Sequence, residues 1–286
     1  MAAGSQEWLY EIKPKAKFID LNFKEIWRYR DLLWLFVKRD IVTVYKQTIL
    51  GPLWFLIQPL FTSVIFTLIF NNVAGIDTGS VPPFLFNLSG LVLWTYFKEC
   101  LNSASSTFKA NQGLFGKVYF PRVIVPLSKA VSGLFKFSIQ LFILIIFYFY
   151  YLYQGSDIAP GFDWFLFFVP ILAIASIALG TGFILTALTT KYRDLSILIG
   201  FGLNLLMYLS AVMYPLQEAK KKLNEYYWLI EYNPLAQVIE AWRYMLLGGD
   251  QPNIIPLLAA LGLGVIMMFI GLVIFNRTER NFIDTV

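Results

Sequence analysis

The stretch FKANQGLFGKVYFPRVIVPLSK, residues 108–129, decides how the rest of the chain is read. It lies between two strongly apolar segments and carries Lys109, Lys117, Arg122 and Lys129 with no acidic residue. In a membrane protein such a basic stretch stays on the cytoplasmic side. Gly113, Gly116 and Pro121 interrupt helix propagation, so the expected form is a helix, a break and a restart: an elbow rather than a rod. The tip is apolar, with Leu114, Phe115, Val118, Tyr119 and Phe120. Apolar side chains on a cytoplasmic turn gain nothing from water, and they mark a surface for a docking partner.

Working outward, the segments on either side of the elbow are membrane spans. The chain of 286 residues is 58% hydrophobic and only 14% charged, against roughly 25% charged in soluble domains. Apolar runs recur at 53–70, 84–97, 123–153, 164–190, 195–214 and 254–275. At about 20 residues per crossing, these predict an all-α integral membrane protein with six transmembrane helices. With the N-terminus inside, the cytoplasmic segments hold all but four of the 23 Lys and Arg residues, the exceptions being Lys220, Lys221, Lys222 and Arg243. Both termini are therefore expected in the cytoplasm.

Composition also argues against an enzyme. The chain has no His and a single cysteine, Cys100, which removes the commonest general base and metal ligand and rules out an intrachain disulfide. No cleavable signal peptide is visible in the polar first 17 residues. No G-x-x-x-x-G-K-[ST] phosphate loop occurs, since residues 113–117 have neither the spacing nor the Ser or Thr. The acids within spans reduce to Glu99. Any energy must then come from another chain, or none is used.

In chain order, residues 1–21 form a cytoplasmic tail and 22–51 an amphipathic helix. Its stripe is Phe23, Ile26, Trp27, Leu33, Trp34, Val37, Ile41 and Val44, opened by an Asn22/Glu25 cap. This helix suits the inner headgroup layer, with Trp27 and Trp34 at the boundary, or a partner's surface. Gln58-Pro59 in the first span should kink it, either opening a side entrance or fitting its neighbours. Thr95, Lys98, Asn102, Ser105, Ser106 and Lys109 recur by threes and fours, a polar stripe that faces a cavity or simply ends a long helix. Ser176, Gly180 and Gly182 allow close helix packing. Lys191-Tyr192-Arg193-Asp194 is a second, shorter cytoplasmic turn. Residues 215–256 read as two short interfacial helices broken at Asn233-Pro234, rich in aromatics and glutamates. Those aromatics form a plain interfacial belt or a lining suited to sugar rings. Residues 52–275 then make one membrane domain, with 276–286 as a short cytoplasmic tail.

Four segments carry a resemblance: YKQTILGPLWFLIQPL at 45–60, KVYFPRVIVPLSK at 117–129, KYRDL at 191–195 and NPLAQVIEAWRYMLLGG at 233–249. In this order, the chain resembles the permeases of ABC-2 type polysaccharide exporters, those of O-antigen and teichoic acid, over nearly its whole length. The resemblance implies an ABC-2 exporter fold with an N-terminal interface helix and short outer gate helices at about 215–250, in the cytoplasmic (inner) membrane of a bacterium. It implies a homodimer bound to two copies of an ABC ATPase subunit, which holds the ATP and Mg, with no cofactor in this chain. The cargo it implies is a lipid-linked glycan, O-antigen-like and carried on undecaprenyl pyrophosphate, and nucleic acid has no part. By the same resemblance Phe115, Lys117, Tyr119, Phe120 and Arg122 touch the ATPase, with Tyr192 and Arg193 secondary.

Charge suggests that Arg28, Arg30, Lys98 and Lys109 meet the anionic headgroup at the inner boundary, where a general excess of basic residues is expected in any case. Asn204, Tyr208, Tyr214, Trp228 and Trp242 are candidates for the channel and outer gate. Three other classes are weighed. An ABC-2 exporter of drugs or free lipids would share the topology, whereas a membrane glycosyltransferase or acyltransferase lacks here its His or Asp-x-Asp. An ion-coupled transporter would show inverted repeats and buried acids.

Overall fold

The computed structural model describes residues 23–46, 50–161, 166–192, 194–249 and 254–283, and all regular structure among them is helical. The first elements are α1 (Phe23–Arg28), α2 (Arg30–Lys46), α3 (Trp54–Phe66) and α4 (Pro83–Ser105). The elbow holds two single-turn helices, α5 (Thr107–Ala110) and α6 (Gln112–Phe115), before α7 (Ile124–Tyr153). Then come α8 (Phe168–Lys191), α9 (Leu195–Leu209), α10 (Leu216–Leu223), α11 (Trp228–Glu231), α12 (Pro234–Leu247) and α13 (Ile254–Ile283).

Among the described residues, four helical stretches are long and apolar enough to cross a membrane: Trp54–Val73, Ile124–Tyr153, Phe168–Lys191 and Ile254–Glu279. The second and fifth of the six expected runs behave differently. They give α4, 23 residues long with Lys98 and Glu99 inside it, and α9, of only 15 residues. Four of the six expected crossings therefore meet both length and hydropathy.

Helix α8 is the centre of the bundle, with 61% of its apolar stretch buried against 11% for Trp54–Val73. Between helices in lipid the hydrophobic effect supplies little, so van der Waals contact decides, and small residues permit it. A Cβ on Gly180 would lie 2.5 Å from the backbone of Met267 and Met268. Gly271 of α13 approaches the Gly180 carbonyl just as closely, and Gly264 faces Ser176. On the other side of α8, Gly182 faces Ala104 of α4. The small-residue pattern is thus two-sided, joining α8 to α13 and to α4.

Helix α3 stays helical across Pro59. Proline has no N–H, so the carbonyl of Phe55 loses its helical donor. Gln140, buried on α7, supplies the replacement through Nε2 at 3.1 Å. The chain then widens into a π-helical stretch at Thr67–Val73, where buried Asn87 of α4 donates to Thr67 Oγ1 at 3.1 Å and Asn71 Oδ1 at 2.9 Å.

The amphipathic stripe of α1 and α2 divides along its length. Phe36 and Val37 are buried and α2 packs on α7, while Trp27 and Trp34 stand 70% and 62% exposed. That outward edge suits a seat at a membrane boundary. Asn22 and the side chains of Phe23 and Val44 lie outside the described residues.

If backbone approach sets the α8–α13 spacing, Gly180→Ala should destabilise the protein by about 1–3 kcal/mol through overpacking. Gly262→Ala, with no atom within 4 Å of its added Cβ in the middle of α13, should be neutral or stabilise by up to about 1 kcal/mol. Thermal unfolding in one detergent reads both.

Candidate functional site

The elbow is built from the end of α4 to the start of α7. Phe108 of α5 is fully buried and stacks on Phe275 of α13, centroids 4.8 Å apart and planes at 23°. Phe115 lies 6.0 Å from Phe108 and 5.8 Å from Phe120, whose ring meets the edge of Phe36 of α2 at 5.8 Å. At the other end of this chain of rings, Phe275 meets Phe183 of α8 at 5.1 Å. Each such pair adds about 0.5–1.5 kcal/mol beyond burial. The rings therefore bind the elbow to α2, α8 and α13 at once.

Arg122 fixes the same joint by charge. Its side chain is buried, donates through Nη1 to the Glu279 carbonyl at 3.1 Å and lies 3.8 Å from the Glu279 carboxylate. The guanidinium sits over the rings of Phe115 and Phe108, at 5.1 and 5.8 Å. Burial pushes its pKa down, and Glu279 opposes that shift. The segment expected as a short cytoplasmic tail, 276–286, holds the end of α13, which runs to Ile283 and carries the partner of the elbow arginine. The partners are 157 positions apart, and no local spacing pairs them.

Burial divides the elbow residues expected to touch a partner. Phe115, Phe120 and Arg122 are buried and lie beneath the surface. Their apolar rings gain more from one another than from an outside surface. Lys117, Val118 and Tyr119 form the exposed tip, with Tyr119 71% exposed. Tyr192 is also exposed, and Lys191 lies over its ring at 5.2 Å. The two turns share one end of the bundle: Thr189 Oγ1 donates to the Ser105 carbonyl at 2.7 Å, and Lys109 Nζ reaches Ser196 Oγ at 3.5 Å. Arg193 lies outside the described residues.

Arg28, Arg30, Lys98 and Lys109 are exposed and belong to four different helices, and none of them lines the charged cavity at this end. That cavity, of about 560 Å³, is enclosed by α2, α4 and α7. On its wall Asp40 takes Arg39 and Lys129, each at 3.0 Å. Glu99, the acid the sequence flagged within a span, pairs with Lys136 at 3.2 Å, and that ammonium also covers Phe55 at 4.8 Å.

At the opposite end, Asn233 caps α12 by accepting from the Leu235 N–H at 3.0 Å, so the expected break at Asn233-Pro234 stands where the sequence puts it. The helix beyond it, α12, packs on α4, α8 and α13. Trp242, a candidate for the gate, is fully buried, donates to the Ser89 carbonyl at 3.1 Å and packs on Phe167 and Phe137. It is a core residue. Asn204, Tyr208 and Trp228 are exposed and Tyr214 is half-buried.

Arg243 was counted with the outer-loop charges and is instead buried. It donates to the carbonyls of Ala211 and Val212, covers Phe86 at 3.7 Å and lies 3.7 Å from Glu240. Burial pulls its pKa down to about 10, against the pull of Glu240 in the other direction. Gly90 of α4 makes room for it, since a Cβ there would overlap the guanidinium. The Glu240/Arg243 spacing of three was the available signal.

Trp242→Ala should cost about 3–5 kcal/mol in thermal unfolding. Trp228→Ala, at a side chain 55% exposed, should cost less than about 1 kcal/mol.

The profile of the ABC-2 type transporter family matches residues 31–247. An O-antigen export system permease protein RfbA of Klebsiella pneumoniae is 30% identical over 258 residues, covering 89% of this chain and 94% of that one. Its counterpart in Myxococcus xanthus is 25% identical over 267 residues, covering 92% and 98%. The polysialic acid transport protein KpsM of Escherichia coli is 23% identical over 248 residues, covering 86% and 93%. A helical membrane bundle matched by the family profile over most of its length, the chain belongs to the ABC-2 type transporter family.

Proposed function

We propose that this chain is the membrane subunit of an ATP-driven exporter that moves a lipid-linked polysaccharide across the cytoplasmic membrane of a bacterium. The observation that carries the reading is end-to-end similarity to O-antigen export permeases, at up to 30% identity and 94% coverage of the relative. ATP and Mg belong to a separate ATPase subunit, two copies of which serve a homodimer of this chain. The exposed faces of α3 and α9, where Phe61 and Ile197 are 67% and 76% exposed, offer apolar surface to a second copy or to lipid.

In this reading the ATPase seats on Lys117, Val118 and Tyr119, with Tyr192 and Arg193 as a secondary contact. Closure of the ATPase pair presses on the tip. Phe115, Phe120 and Arg122 touch nothing outside; they carry the displacement into α2 and α13. The anionic pyrophosphate of the carrier lipid approaches from the basic boundary, where the exposed side chains of Arg28, Arg30, Lys98 and Lys109 meet it. Asn204, Tyr208, Tyr214 and Trp228 face the glycan's path.

Deletion of the gene is expected to leave lipid-linked glycan in the cytoplasm, whereas loss of a drug or free lipid from the medium without that accumulation would overturn the cargo class. Tyr119→Ala should lower export by roughly tenfold or more while the ATPase remains assembled and active. Undiminished export by that variant would remove the tip from the coupling path. Changing Arg28, Arg30, Lys98 and Lys109 singly to Gln tests the headgroup role, which fails if substrate-stimulated ATPase activity is unaltered in all four.

A further inference from the structure

The larger cavity, at the end opposite the elbow, serves no step described above. It measures about 1040 Å³, the top of the range of roughly 300–1,000 Å³ found for small-molecule sites. Its walls come from the 77–81 loop, α10, α11, α12 and the start of α13. Four carboxylates, Asp77, Glu218, Glu231 and Glu240, face two cations, Lys221 and Arg243. Three tyrosines line it as well, Tyr227, Tyr232 and Tyr244, with Tyr232 80% exposed and unencumbered.

A second observation points to a ligand. Arg243 is 4% exposed, and its buried Nε has no hydrogen-bond partner. An unpaired buried donor costs roughly 1–3 kcal/mol, and here it belongs to a side chain that lines an open pocket. The carboxylates offer acceptors to spare, since ionised carboxylates carry about four lone-pair sites each. Lys221 occupies part of one, bonding Glu218 at 2.7 Å.

The ligand that fits such a wall brings many hydroxyl donors, a few acceptors and a flat C–H face for an aromatic ring. A pyranose has all three. The excess of carboxylates over cations makes the pocket acidic, so a glycan bearing a carboxylate on each unit is repelled. We propose that this pocket is a glycan subsite selective for uncharged hexose or N-acetylhexosamine units, with Tyr232 covering the sugar face and Glu231, Glu240 and Arg243 bonding its hydroxyls. The inference rests on reading the chain as a polysaccharide exporter and divides that class: relatives of the chain include both O-antigen permeases and a polysialic acid transport protein, and the pocket sides with uncharged polymers.

The test uses the purified full-length protein and saturation-transfer difference NMR with two probes, chitotetraose and α2,8-linked tetrasialic acid. Chitotetraose should receive saturation and tetrasialic acid should not. Tyr232→Ala, at an exposed position that leaves the fold intact by thermal unfolding, should weaken chitotetraose binding about tenfold. Combined Asp77→Asn, Glu218→Gln and Glu231→Gln should narrow the preference between the probes by about tenfold. No transfer to chitotetraose, equal transfer to both probes, or full binding by Tyr232→Ala each overturns the subsite. Glycan retained in the cytoplasm of the deletion strain, alongside such a failure, would remove the pocket while leaving the export function standing.

Discussion

The stack of Phe108 on Phe275, with Arg122 held against Glu279 beside it, is the joint on which the rest of the molecule depends. A turn between two membrane helices that is free to flex cannot transmit a push. This turn is fastened at three places, to α2 through Phe36, to α13 through Phe275 and Glu279, and through Phe275 to Phe183 of α8. Its tip, by contrast, leaves Lys117, Val118 and Tyr119 outside. The proposed coupling role needs a rigid mounting beneath an exposed tip, and six phenylalanines and one ion pair supply that mounting.

The second governing constraint is the cost of unsatisfied polar groups in an apolar bundle. Each irregularity has a dedicated partner. Pro59 frees a carbonyl and Gln140 takes it. Thr67–Val73 opens into a wider turn, and Asn87 bonds across it to Thr67 and Asn71. Ala211 and Val212 leave their carbonyls outside any helix, and Arg243 collects both. These side chains stand within a bundle whose closest contacts are made by glycines, so their placement is fixed by backbone approach as much as by their own bonds.

What the sequence displays well is what depends on neighbours along the chain. Gly113, Gly116 and Pro121 announce the elbow, and Asn233-Pro234 announces the start of α12, because helix-breaking is a local property. The apolar runs mark helices for the same reason. Burial is another matter. In a membrane chain lipid-facing and core side chains are equally apolar, so Trp228 and Trp242 read alike although one is 55% exposed and the other fully buried. Phe115 and Tyr119, four residues apart, read as one tip and lie on opposite sides of the surface. Arg122 and Glu279, or Phe108 and Phe275, meet only through the fold.

Distance measurement between the elbow and the last helix is the direct test of this account. Spin labels at Gln112→Cys and Arg277→Cys, both exposed sites, with Cys100→Ser removing the native thiol, would report the separation by pulsed electron resonance. The separation should stay fixed between nucleotide-free and ATP-trapped complexes, because elbow and α13 move as one body. A change in that separation on trapping would show the joint to be loose and would contradict the claim that it carries the push.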